Sequence, residues 1–267
     1  MNDIRKITQA NRLAWNEAMP RHQKANGSTW DERFADPDYL ALKKNEHTLL
    51  QTYGIQNKAV AHLCCNNGAE LMSIKRLGAG RCLGFDISDE AVKEAQGRSD
   101  RLGLQCQFIQ SDVYDIPEIY HGQFDLIYIS IGCLGWMPDL NRFFQIAASL
   151  LHESGMIFIH EMHPFAEMLP MDGTNESPLT LVDPYFKDDP YIETDGIDYV
   201  GKTSYESLPQ YWFVWKFSDI INGLVQSGFR IKLFEEYPTD ISTLHQAVEQ
   251  ANLAVPLSYI LISQKVK

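Results

Sequence analysis

The run Val60-Ala61-His62-Leu63-Cys64-Cys65-Asn66-Asn67-Gly68-Ala69-Glu70, followed by Gly84-Phe85-Asp86-Ile87-Ser88, sets a tight turn and an acid at the ends of two successive apolar stretches. A glycine-bearing turn between a buried strand and a helix lets a ligand approach the backbone, and the helix start offers it unpaired N–H groups. An acid at the end of the adjacent strand can accept two hydrogen bonds from a ribose diol, which makes Asp86 the centre of a candidate nucleoside site. A dinucleotide is not implied, because Cys64 and Asn66 stand where its fingerprint has glycines and only Gly68 remains. Asn66 and Asn67 can reach left-handed backbone angles at modest cost, so the turn keeps its shape without the close phosphate approach. Ser111-Asp112-Val113 follows a third apolar run. There Asp112 can accept from an exocyclic amine or simply cap the turn before Pro117, Val113 offers a backbone N–H and an apolar wall, and Ile87 offers a surface for one face of the base.

A second group of reactive side chains lies further along. In His160-Glu161-Met162-His163-Pro164 the two-residue period of a strand puts Glu161 and His163 on one face and His160 on the other, so Glu161 or His163 can point into a substrate cavity. His163 titrates near neutrality and can deprotonate a hydroxyl or an amine if a carboxylate holds its tautomer. A metal site would need distant His22 or His245 to complete it, and none is expected. The segment from Ser130 to Asp139 follows the fourth strand, where Gly132 and Gly135 relieve crowding. Trp136 either walls a ligand or fills the core, and Asp139 caps the next helix. Trp15, His22, Tyr205, Tyr211 and Trp212 sit in or beside two segments able to cover the site, as apolar packing or as an aromatic pocket.

These residues need a scaffold, and the apolar pattern supplies one. Residues 1–55 read as a polar helical cap. From residue 59 strands alternate with helices: strands at 59–64, 81–86, 105–110, 124–130 and 156–161, and helices at 69–77, 90–102 and 140–151, with Asp89 as N-cap or first-turn acid. Residues 164–212 break the rhythm with prolines, acids and aromatics and read as an inserted lid or substrate region. A helix at 217–227 and strands at 230–236 and 257–263 then complete the core. The expected fold is α/β: a doubly wound, Rossmann-like, seven-stranded, mostly parallel sheet with an antiparallel C-terminal strand, divided into 1–55, 56–163, 164–212 and 213–267.

With 267 residues the chain can bury a core as one large domain or one domain with an insertion. Its net charge of -12 argues against general nucleic-acid binding, which needs concentrated positive charge, while leaving room for a local basic groove. No apolar run approaches the roughly 20 residues that span a bilayer, and residues 1–18 are polar and charged, so a cytoplasmic protein is expected. The five cysteines, lacking any CxxC pair, read as buried free thiols, and Asn26-Gly27-Ser28 reads as a turn. Monomer and homodimer are equally compatible.

From the Val60–Glu70 turn through Asp86 to Gln110-Ser111-Asp112-Val113 and Phe124-Asp125-Leu126-Ile127-Tyr128, the chain resembles the class I S-adenosylmethionine-dependent methyltransferases. The resemblance spans residues 56–162, and the strands at 230–236 and 257–263 fit the family's terminal antiparallel hairpin. It implies S-adenosylmethionine as cofactor and S-adenosylhomocysteine as product. The methionine part falls to residues around Cys64, Asn66 and Gly68, the ribose to Asp86 and the adenine amino group to Asp112; Ser130, at the end of the fourth strand, joins the candidate contacts. His62 stands where the family has an acid; it can contact the methionine end or serve as a hydrogen-bonded structural histidine. The Gly-x-Leu-x-Trp pattern at 132–136 looks like a small-molecule subgroup, so the expected partner is a small-molecule methyl acceptor offering O or N. A non-catalytic scaffold on the same fold and an NAD-dependent oxidoreductase are the alternatives.

Overall fold

Strands β1 (Val60–Leu63) and β2 (Cys82–Asp86) are buried at every position, the pattern of parallel strands covered on both faces. Beside them run β3 (Gln107–Gln110), β4 (Phe124–Ile129), β5 (Leu151–Met162), β8 (Phe229–Tyr237) and β9 (Ser258–Lys265), in the order β3-β2-β1-β4-β5-β9-β8. Only β9 runs against its neighbours, pairing antiparallel with both β5 and β8. The doubly wound expectation therefore holds, and the order reverses between β1 and β4, where such sheets open a crevice beyond their C-terminal edge. The computed structural model describes residues 2–174, 176–201 and 204–266. Met1, Asn175, Lys202, Thr203 and Lys267, which fall within the expected cap, lid and C-terminal unit, lie outside the described residues.

Two apolar layers hold the sheet. On one face α2 (Lys44–Thr52), α3 (Ala69–Arg76) and α4 (Asp89–Leu102) bring Leu50, Met72 and Ala95 against Val60, Tyr128 and Phe158. On the other, α5 (Leu140–Leu150) and α6 (Phe217–Gln226) lay Phe143, Phe144, Ile220 and Leu224 over Ile127, Ile157 and Leu261. Helix ends follow their caps: the Ser88 hydroxyl accepts the Ala91 N–H at 3.2 Å to start α4, leaving Asp89 in the first turn, and Asp139 accepts the Arg142 N–H at 2.9 Å to start α5. β5 begins at Leu151, directly after α5, and absorbs residues 152–155 as an irregularity against β4.

Helix α1 (Asn2–Ala35) runs unbroken through two positions that argue against it. Pro20 has no N–H to return to the Asn16 carbonyl. Asn26-Gly27-Ser28, expected as a turn, is helical. What holds α1 is packing against α4 and the inserted segment rather than local propensity. Within 164–212 the described residues form one two-stranded ribbon, β6 (Tyr191–Glu193) with β7 (Gln210–Trp212). A short α7 (Gln246–Gln250), unexpected from the sequence, bridges β8 and β9.

Candidate active site

The turn after β1 is left-handed at Cys64 (φ 56°), Asn66 (φ 46°) and Gly68 (φ 76°), so Cys64 rather than Asn67 joins Asn66 in keeping the shape that glycines would give. The turn is tied to the next strand: the Asn66 N–H donates to Asp86 Oδ2 at 2.7 Å and the Ser88 N–H to Oδ1 at 2.9 Å. Burial lifts the Asp86 carboxyl to about 6 against the pull of its backbone donors. With the backbone of Ile87 also directed at it, the carboxylate keeps an acceptor position for a ribose hydroxyl. At the end of β3, Asp112 Oδ1 accepts the Tyr114 N–H at 3.0 Å and so acts as a local cap, while Val113 buries its side chain in the core and Ile87 stays half-exposed beside Asp86.

His62 is fully buried, and desolvation drops its pKa to about 3, so it is neutral. Its Nε2 lies 3.0 Å from the Ser130 hydroxyl, while Nδ1 has no partner among the described residues. The thiols are all free, and only Cys64 is partly exposed.

Helix α1 closes over the turn between β2 and α4. Arg12 grips Asp89 with Nε at 3.0 Å and Nη2 at 2.9 Å; Asn16 donates to Asp89 at 2.7 Å and accepts from the Ser88 hydroxyl at 2.7 Å. The same helix holds the inserted segment: Asn11 bonds the backbone N–H and C=O of Tyr211, and His22 Nε2 meets the Ile197 carbonyl at 2.7 Å. Trp15, Trp136 and Trp212 meet edge to face in series, with centroids 5.4 and 5.0 Å apart. Gly135 permits the last contact, since a Cβ there would come within 2.4 Å of the Trp212 ring. The structure thus brings Trp15, Trp136 and Trp212 together. Tyr205 instead stacks under the Arg21 guanidinium at 3.8 Å, and Tyr211 and His22 fasten segments to one another.

Glu161 and His163 part company. Glu161, at the end of β5, accepts from the amides of Gly132 (2.9 Å), Leu134 (3.1 Å) and Met162 (2.8 Å), pinning the loop after β4 and facing a narrow cavity. His163 has the neighbouring carboxylate that its expected role as a base calls for. Its Nε2 pairs with Glu236 at 2.8 Å, its Nδ1 accepts the Phe165 N–H at 2.9 Å, and both nitrogens are consumed. His160 turns to the opposite face, as expected, with Nδ1 3.4 Å from Glu46. The sequence reading missed Asn11, Arg12 and Asn16, although their spacing with Trp15 marks one helix face, and it missed Glu167, which has no periodic context. Among the described residues no group of three or more His, Cys, Asp or Glu side chains is arranged to hold a metal ion. Among the described residues no helix is long and apolar enough to cross a membrane.

Residues 60–155 match the family model of a methyltransferase domain. The chain is 34% identical over 86 residues to the rRNA N(6)-adenosine-methyltransferase METTL5 of Danio rerio, covering 32% of this chain and 42% of that one. It is 28% identical over 132 residues to the tRNA U34 carboxymethyltransferase of Campylobacter hominis, covering 49% and 45%. The chain thus spans less than half the length of these curated relatives. Among solved structures, an S-adenosylmethionine-dependent methyltransferase from Mesorhizobium loti superposes with a TM-score of 0.60 at 21% identity, over 82% of this chain and 96% of that one. A putative one from Listeria monocytogenes superposes at 0.59 and 17% identity, over 84% and 100%. Residues 60–155 thus match a methyltransferase domain, and the chain has the fold of S-adenosylmethionine-dependent methyltransferases.

Proposed function

From that domain as premise, we propose that the protein transfers a methyl group from S-adenosylmethionine to an oxygen or nitrogen of a small molecule. The observation that carries the reading is the double covering of the sheet's C-terminal edge: α1 is fastened to the Asp86–Asp89 turn on one side and to the inserted segment on the other. A site closed by a helix and a ribbon suits an acceptor that can be enclosed, and a net charge of -12 disfavours a polyanionic one. The curated relatives act on rRNA and tRNA, so RNA is the competing acceptor.

In this reading Asp86 takes the ribose hydroxyls, Asp112 the adenine amino group, and the turn from Cys64 to Gly68 with His62 Nδ1 the methionine portion. The cofactor supplies a methyl group already bonded to a good leaving group. The protein's task is to exclude water and align the acceptor, which orientation alone can make large. Glu161 holds the 132–134 loop in place for that alignment.

Incubation with methyl-labelled S-adenosylmethionine, with metabolite and total-RNA pools offered separately, tests this. Label in the metabolite pool is expected. Label confined to RNA overturns the small-molecule reading, and tight S-adenosylhomocysteine binding with no transfer to either pool favours a non-catalytic protein.

A further inference from the structure

The cavity beyond β5 contains more acid than its surroundings balance. Glu161 and Glu167 both line it, together with Trp212, Phe213, Trp215 and Tyr259, and among the described residues its lining has no lysine or arginine. A carboxylate taken out of water without a cation is costly, so Glu161, buried, and Glu167, half-buried, together favour a bound cation. Their bonding leaves capacity for one. Glu161 Oε2 accepts two backbone N–H groups and Oε1 only one; Glu167 takes a single bond, from Trp212 Nε1 at 3.3 Å.

An independent feature points the same way. The Tyr259 hydroxyl is fully buried, lines the same cavity and has no hydrogen-bond partner among the described residues. A buried hydroxyl that bonds nothing calls for an occupant. Indole and phenyl faces make up much of the remaining wall, and they attract cations as well as alkyl groups. The loop pinned by Glu161 is the one that follows β4, so the cavity adjoins the cofactor side of the sheet: Cys133 in this loop contacts Cys64 in the first turn.

We propose that this cavity is the acceptor subsite and that it takes a small amine as its ammonium ion, the charged group held between Glu161, Glu167 and the Tyr259 hydroxyl and the alkyl part against Trp212 and Phe213; one of the two carboxylates takes the ammonium proton before the nitrogen lone pair attacks the methyl group and S-adenosylhomocysteine leaves. This rests on the methyl-transfer reading for the word acceptor, but the cation site itself does not. Burial lifts Glu161 to about 7 and Glu167 to about 8, the Glu161 charge adding to the latter, so near neutrality the pair is poised to exchange a proton for a bound cation.

The test is titration of the full chain, saturated with S-adenosylhomocysteine, with n-propylammonium and with 1-propanol, followed by tryptophan fluorescence. The ammonium should bind at least tenfold more tightly than the alcohol. In Glu167→Gln that preference should fall at least tenfold while S-adenosylhomocysteine affinity stays within about twofold. Equal binding of ammonium and alcohol, or binding of neither, with S-adenosylhomocysteine bound normally, overturns the amine subsite and leaves methyl transfer standing. Ammonium preference in a protein that does not bind S-adenosylhomocysteine supports the cation site and removes the methyl-transfer reading instead. Should Glu167→Gln fail to fold, the comparison of the two probes on the unaltered protein still decides.

Discussion

Cys64 shows what the unusual first turn costs. Its φ of 56° puts a β-carbon where only glycine is free of steric penalty, and the family resemblance places glycine there. Cys64→Ala keeps the β-carbon and Cys64→Gly removes it, so the difference between the two variants isolates the backbone strain from loss of the thiol. Gly should be more stable than Ala by about 1 kcal/mol, the relief of the left-handed penalty less the extra freedom glycine has when unfolded. Urea denaturation reads this directly, and a Gly variant less stable than the Ala variant would mean that the turn is not strained. At the same scale the sequence marks the position of Asp86 but not the partner of His163. The strand-end position of Asp86 is visible in the local pattern. The carboxylate that engages His163 belongs to Glu236, 73 residues away, and no local pattern announces such a pairing.

Among the elements, β1, β2 and β4 were legible because parallel strands buried on both faces are continuous apolar runs. The inserted segment was legible only as an interruption, since its few ordered elements are held by α1 and not by their own periodicity. For the same reason Glu167, in a single 3-10 turn at Ala166–Met168, left no trace that could be read beforehand. Helix α1 ties the site together through Asn16, which bonds both Ser88 and Asp89. Asn16→Ala should loosen that attachment by about 1 kcal/mol, because Arg12 still holds Asp89. If α1 covers the cofactor, S-adenosylhomocysteine should dissociate about fivefold faster in stopped-flow displacement, with global stability nearly unchanged. An unaltered dissociation rate would make α1 a scaffold element rather than a cover.

For the whole molecule, the buried acids around the site set how stability responds to pH. Burial raises Asp86 to about 6, Glu70 and Glu161 to about 7 and Glu167 to about 8. In the folded state these groups hold protons that the unfolded chain has already released, so unfolding free energy falls as pH rises from about 4 to about 8 and then levels. His62 acts from the other side: desolvation lowers it to about 3, so its contribution is complete above its ordinary value of 6.5 and is lost as pH falls toward 3. Four such acids outweigh one such histidine, so the ligand-free protein should lose stability steadily from about pH 5 to about pH 8, a slope that calorimetric Tm values across pH would read. Glu167 feels Glu161, Asp183 and Glu193 as well as burial, and Trp212 Nε1 is the donor it holds. Removing its charge should relieve the alkaline limb. With its partial exposure discounted, Glu167→Gln should gain roughly 1–2 kcal/mol at pH 8, about 2–8 °C in Tm, and almost nothing at pH 5, where the native carboxyl is already protonated. A gain of equal size at both pH values would trace to packing rather than to charge. A variant that becomes more stable at pH 8 while losing its ammonium preference would show that this fold carries an uncompensated acid for the sake of what it binds.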